Sequence, residues 1–170
     1  MSEQEARAEY GTNEVIPSDL ADAIRQEMLN SIKDDPDLLT AVSTSPWTTL
    51  QYTEKTRDVH EQFLKSGDKE TLARMMKVPA ERVADRFYRA FPVIFRNTTT
   101  LLLKGGLPNR VWTFVAFGKL TFENGLPALG PSKVKHKLDS GFALHVRGDV
   151  DLLLSGLGGG TALMIDWKIY

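Results

Sequence analysis

Phe142-Ala143-Leu144-His145-Val146-Arg147-Gly148-Asp149-Val150-Asp151-Leu152-Leu153-Leu154 is the stretch on which the fold turns. Phe142, Leu144, Val146, Val150, Leu152 and Leu154 alternate with His145, Arg147, Asp149 and Asp151 over most of it. A strand sends successive side chains to opposite faces, so the pattern predicts one face in the core and one in water. Strand character extends from there in both directions. Residues 162–169 follow a Gly156 to Gly160 loop, and 134–138 precede the turn Asp139-Ser140-Gly141. Further back, 111–122 is rich in Val, Thr and Phe, and 93–95 and 98–103 carry β-branched and apolar residues. Gly105 to Asn109 and Gly125 to Pro131 supply turn chemistry between them.

The N-terminal half reads differently. Pro17-Ser18-Asp19 opens a helix with Ser18 as its cap, and Leu20, Ile24, Met28 and Ile32 recur at helical spacing until Asp34-Asp35-Pro36. A second helix is expected over 47–64, marked by Leu50, Val59 and Phe63, and a third over 69–90, broken near Val78-Pro79. Residues 1–16 are polar and acidic without apolar periodicity, as in a tail without fixed structure. The expected architecture is α+β: about three N-terminal helices, then a mostly antiparallel sheet of about four to five strands. It divides into the tail and one domain over 17–170, helical over 17–91 and β-rich over 93–170.

Charge is sorted along the chain, although the net charge is only −1. Residues 1–40 hold ten acids against three bases, and residues 74–137 hold twelve bases against three acids. A basic excess of this size attracts anions. Within it, Leu72 to Phe87 resembles the spacing of a helix-turn-helix, which implies a second helix laid against nucleic acid. Arg82, Arg86 and Arg89 then fall on one helical face, with Arg74 and Lys77 nearby. The match departs from that pattern at the turn, where Lys77 and Pro79 replace the usual glycine and cap residue. Lys133, Lys135 and Lys137 alternate along a candidate strand, a pattern that also protects an exposed sheet edge.

Catalytic signals are thin. The chain has no cysteine, which excludes disulfides, thiolate metal sites and a Cys nucleophile. Its three histidines, His60, His136 and His145, lack metal-ligand spacing. His145 paired with Asp149, Asp151 or Asp166 would make a general-base arrangement, but solvated strand-face polar groups explain the same residues. The glycines of 156–160 precede a strand rather than a helix and lack a Walker lysine, so they read as a hairpin loop. No catalytic residue, metal or cofactor is implied.

Function therefore rests on charge. The leading expectation is a non-enzymatic binding or assembly protein, intracellular and soluble, with no transmembrane segment. Its basic region, Arg74, Lys77, Arg82, Arg86, Arg89, Lys133, Lys135 and Lys137, would engage an anionic partner: nucleic acid first, an acidic membrane surface second. Self-association is expected alongside. The alternatives are a structural homo-oligomer of scaffold, coat or matrix type, and a small-molecule or enzymatic pocket in a cone-like α+β fold.

Overall fold

The computed structural model describes residues 8–11, 13–33, 47–51, 53–96, 101–129, 135–155 and 157–169. Its frame is β-sheet. A six-stranded sheet contains β1 (Ala8–Tyr10), β9 (Ala143–Arg147), β5 (Arg110–Phe117), β11 (Thr161–Lys168), β3 (Phe87–Phe95) and β2 (Trp47–Thr49), in that spatial order. A three-stranded sheet, β4 (Leu101–Leu103), β10 (Leu152–Leu154) and β7 (Ala128–Leu129), packs against one face of it. A short ladder pairs β6 (Leu120–Thr121) with β8 (Lys137–Leu138). Every pairing is antiparallel, and from β3 onward each consecutive strand falls in a different sheet, as in a jelly-roll sandwich.

Helices cover the other face of the large sheet. α1 (Ser18–Ser31) buries Ala21, Ile24 and Met28; α2 (Glu54–Leu64) buries Val59 and Phe63; α3 (Asp68–Met76) buries Leu72, Ala73, Met75 and Met76. These pack with Ile94, Val115, Phe117, Leu163, Ile165 and Trp167 from the strands. The opposite face gives a second core in which Val93, Phe95, Phe114, Leu144, Val146, Ala162 and Met164 meet Leu152 and Leu154 of the small sheet. A strand covered on both faces needs apolar residues at nearly every position. β11 meets this demand: its first seven residues are all buried.

The expected helices-then-sheet architecture is thus corrected. Among the described residues there are eleven strands, and the helices serve as a cover on a sandwich. Three local readings fail for physical reasons. The stretch 142–154 is not one half-wet strand; it breaks at Gly148 into β9 and β10, which lie in different sheets, and α3 covers the face expected to be in water. The helix expected over 47–64 begins only at Glu54. Thr53 and Thr56 form a reciprocal capping box there, with each side chain 3.3 Å from the other's backbone nitrogen.

The third failure is the helix-turn-helix resemblance. α3 stops at Lys77, whose φ of 57° is left-handed, and the chain beyond it forms a 3-10 turn over Ala80–Arg86. Phe87 onward then joins β11 as β3, so no second helix exists to present Arg82, Arg86 and Arg89 on one face. Ala8–Tyr10, inside the stretch read as a tail, forms β1 on the edge of the large sheet. Among the described residues no helix is long and apolar enough to cross a membrane.

Candidate functional site

Two regions hold the polar chemistry of the sandwich, and alternation places them on opposite faces of the same strands. On the helix-covered face, His145 of β9 is completely buried. Its Nδ1 lies 2.9 Å from Thr113 Oγ1, and its Nε2 lies 3.1 Å from Asp68 Oδ2 at the first turn of α3. Trp167 Nε1 donates to Thr113 Oγ1 at 2.9 Å, closing a four-residue network. The expected partners of His145 were Asp149, Asp151 or Asp166; Asp68 takes that place. The order Asp–His–Thr resembles a catalytic triad in connectivity, yet all three residues have no solvent exposure. It is an internal strut that joins α3 to the sheet.

On the inner face the two sheets part at one end and leave a cavity of about 180 Å³. Phe114 and Met164 form its floor, Trp112 and Trp47 its large-sheet wall, and Val150 and Leu152 its small-sheet wall. The lip is the loop after β4, from Leu103 through Lys104, Gly105 and Gly106 to Leu107. Two glycines let this loop close onto the β9–β10 turn. A Cβ on Gly105 would lie 2.2 Å from the Asp149 carbonyl carbon, and one on Gly148 would lie 2.2 Å from Leu107 O. Asp151 fastens the lip, accepting from Gly105 N at 2.8 Å and pairing with Lys104 Nζ at 3.4 Å. That backbone bond, helped by Lys104, holds the Asp151 carboxyl below its ordinary pKa.

Register extends the inner face beyond the cavity. On β5 and β11 the facing pairs run Phe114–Met164, then Trp112–Asp166, then Arg110–Lys168. Asp166 Oδ2 accepts from Arg110 Nη1 at 2.5 Å and from Arg89 Nε at 3.2 Å. Burial pushes the Asp166 carboxyl above its ordinary pKa and outweighs the pull of Arg110 and Arg89 in the other direction.

The basic residues expected to form one surface are dispersed. Arg74 reaches Glu9 of β1 at 3.0 Å, and Lys77 occupies the left-handed helix end. Arg82 pairs with Asp85 at 3.2 Å, Arg86 donates to Ile169 O at 2.8 Å, and Arg89 joins Asp166. Lys135 lies 4.6 Å from the Phe122 ring centroid and Lys137 begins β8, while Lys133 falls outside the described residues. Sequence reasoning missed the cavity, whose lining comes from five separate segments. Its local signals were the glycines at 105 and 148, which mark close approach of backbone.

No protein-family model matches the chain, and no curated protein matches it in sequence. Solved structures do match in fold. The non-heme alpha ketoglutarate dependent epimerase SnoN from nogalamycin biosynthesis superposes with a TM-score of 0.64 at 8% identity, over 97% of this chain and 77% of that one. AviO1 from Streptomyces viridochromogenes Tue57 gives 0.61 at 11% identity, covering 97% and 92%. A Pseudomonas putida prolyl-4-hydroxylase gives 0.57 at 12% identity, covering 95% and 92%.

These findings overturn the nucleic-acid, acidic-membrane and structural-scaffold readings, and with them the helix-turn-helix. The frame is one on which those neighbours carry epimerase and hydroxylase chemistry, and among the described residues Arg74, Arg82, Arg86 and Arg89 each engage a different partner. Of the readings the sequence allowed, the pocket in a curved sheet is the one that this architecture favours.

Proposed function

We propose that the chain binds a small, largely apolar organic molecule in the cavity between its two sheets, and does so without a metal in that cavity. The chain would act as one domain over 17–170, with the segment 8–10 docked on its sheet edge. The observation that carries the reading is the hollow itself. About 180 Å³ lies open beside two tryptophans between the sheets, and about 150 Å³ of apolar space suffices to hold benzene. Apolar walls with a few polar groups at the mouth are the usual make-up of a small-molecule site.

The structural neighbours include a non-heme alpha ketoglutarate dependent epimerase and an EctD from S. alaskensis with bound Fe. An iron of that kind is held by two histidines and a carboxylate with open positions. This chain has only three histidines, all of them among the described residues, and no cysteine. His145 is sealed on the far face with both ring nitrogens engaged. His60 sits on α2, stacked on Phe87 with centroids 4.3 Å apart, also on the helix side. His136 is exposed beside Phe122 and Glu123, at the β6–β8 ladder. None lines the cavity, and among the described residues no three potential donors gather to hold a metal. The donor set does not fit the iron, and no step is routed through one.

The cavity residues can bind and orient a ligand. Trp112 and Trp47 offer flat faces, Phe114 and Met164 close the floor, and Lys104 with Asp151 marks the polar lip. Titration with 3-phenylpropan-1-ol, followed by calorimetry and tryptophan emission, tests this. Saturable binding is expected, unchanged by EDTA or by added Fe(II), and lost in Val150→Trp, which fills the hollow. Absence of saturable binding, or binding that needs the metal, overturns the reading.

A further inference from the structure

The inner face of the large sheet changes character in regular steps toward the open end. Phe114 and Met164 are apolar, Trp112 and Asp166 are mixed, and Arg110 and Lys168 are cationic. Beyond Asp166, three cations surround one aromatic ring. Lys168 Nζ lies 4.0 Å, Arg110 Cζ 4.4 Å and Arg89 Cζ 5.5 Å from the Tyr88 ring centroid. Tyr88 reaches this face because the β3–β11 register shifts between Asp166 and Trp167, leaving it without a facing partner. Tyr88 is 45% exposed, so the cluster stands at the surface.

Charge in the cluster is unbalanced. Among the described residues Asp166 is its one carboxylate, and a single oxygen of it serves both guanidiniums. Arg89 remains 54% exposed, and beyond Nε its donors have no acceptor among the described residues. The Tyr88 ring stabilises cations on its face, but it neutralises none of them. Three like charges held this close repel one another, and an incoming anion would relieve that repulsion.

The position of the cluster identifies the anion. Trp112 both lines the cavity and lies one two-residue step from Arg110 on the same strand face. Such a step is about 6.8 Å. A ring resting on Trp112 therefore brings a substituent two or three carbons away to Arg110 and Lys168. A guanidinium presents paired N–H donors that match a carboxylate.

We propose that the cavity's ligand is an aryl- or alkyl-carboxylate, with its apolar body against Trp112 and its carboxylate on Arg110, Lys168 and Arg89. The proposal rests on the cavity being a ligand site, and its test separates the two claims. Calorimetric titration compares 3-phenylpropionate with 3-phenylpropan-1-ol, the same body with a neutral end. The acid should bind about tenfold more tightly at low salt, and the preference should shrink severalfold at 0.5 M salt, where the Debye length falls to a few ångströms.

Lys168→Gln and Arg89→Gln should each lower the acid-to-alcohol ratio about threefold, and the double variant should abolish the preference. These two are chosen because Arg110 is largely covered and supports buried Asp166, so Arg110→Gln is open to a folding objection. Equal affinity for acid and alcohol overturns the carboxylate claim while leaving the pocket intact. A preference that survives the double variant overturns it as well. If neither compound binds, the pocket falls and this inference with it.

Discussion

The two faces of the large sheet are built from alternate residues of the same strands, and they treat polar groups in opposite ways. On the helix side, Asp68, His145, Thr113 and Trp167 bond to one another in complete isolation from solvent, with Asp68 Oδ1 left without a partner among the described residues. On the inner side, Asp166, Arg89, Arg110 and Lys168 stand next to a hollow and at an exposed ring. The residues that most resemble catalytic machinery therefore lie where no substrate can reach them. The residues placed to meet a ligand include no histidine. Resemblance to a triad is a statement about connectivity; access decides whether it does chemistry.

The comparison breaks most sharply at the sealed network. Asp68→Ala strips the buried imidazole of its Nε2 partner, and the loss should approach about 1–3 kcal/mol, the cost of leaving a buried polar group unsatisfied. Replacing both residues, as in Asp68→Leu with His145→Leu, should cost less than either single change, because neither the carboxylate nor the imidazole is then left stranded and Thr113 keeps its bond from Trp167. Chemical denaturation of the three variants measures this. Single changes that cost less than about 1 kcal/mol would show that the network is not the strut described, and would reopen a role in chemistry.

The open side is predicted to respond in a different currency, namely ligand binding together with stability. Gly105→Val places a Cβ about where the Asp149 backbone stands, 2.2–2.3 Å from its carbonyl atoms. Neither backbone segment gives cheaply, so about 1–3 kcal/mol of stability should be lost. The displaced lip should also weaken binding of 3-phenylpropan-1-ol at least tenfold. Stability lost with binding retained would remove the lip from the site.

A smaller effect separates the faces by pH. Burial between α2 and Phe87 lowers the His60 pKa, against an opposing pull from Glu61. Below the ordinary value of 6.5 the unfolded chain takes up a proton that the folded chain resists. The unfolded state binds more protons there, so stability is full above that pH and declines as pH falls. His60→Phe keeps the stack on Phe87 and removes the titration. Between pH 7 and 5 the variant's stability should fall less steeply than the wild type's, in denaturation midpoints at several pH values. Identical slopes would mean that His60 does not titrate in this window.

How much of this was legible beforehand depends on whether the information is local. β5 and β11 were visible as strands, because doubly covered strands are apolar almost throughout. α1 was visible because Ile24, Met28 and Ile32 share one face. The stretch 69–90 misled because Ala, Glu and Arg favour helix, whereas β3 wins its residues through ladder bonds to β11, more than seventy positions away. The site was hidden for the same reason. His145 and Asp68 are 77 positions apart, and Arg110 meets Lys168 only once β5 and β11 are in register. The charge excess over 74–137 was real as composition, but among the described residues its arginines engage different partners: Arg74 with Glu9, Arg82 with Asp85, Arg86 with Ile169 O and Arg89 with Asp166.

The smallest expected effect tests that dispersal. Arg82 and Asp85 stand on the 3-10 turn with side chains 68% and 62% exposed, joined at 3.2 Å. An exposed pair three residues apart gains little, because water screens its attraction and two long side chains lose freedom in forming it. Arg82→Ala should change stability by no more than about 0.5 kcal/mol. It should also leave the acid-to-alcohol binding ratio unchanged, since Arg82 makes no described contact with Asp166 or Tyr88. Arg89, seven positions later, should alter that ratio about threefold. The contrast matters because sequence placed these two arginines on one helical face and gave them one role. If Arg82→Ala shifts the ratio as far as Arg89→Gln does, the cationic rim extends over the 3-10 turn, and the strand ladder alone no longer accounts for it.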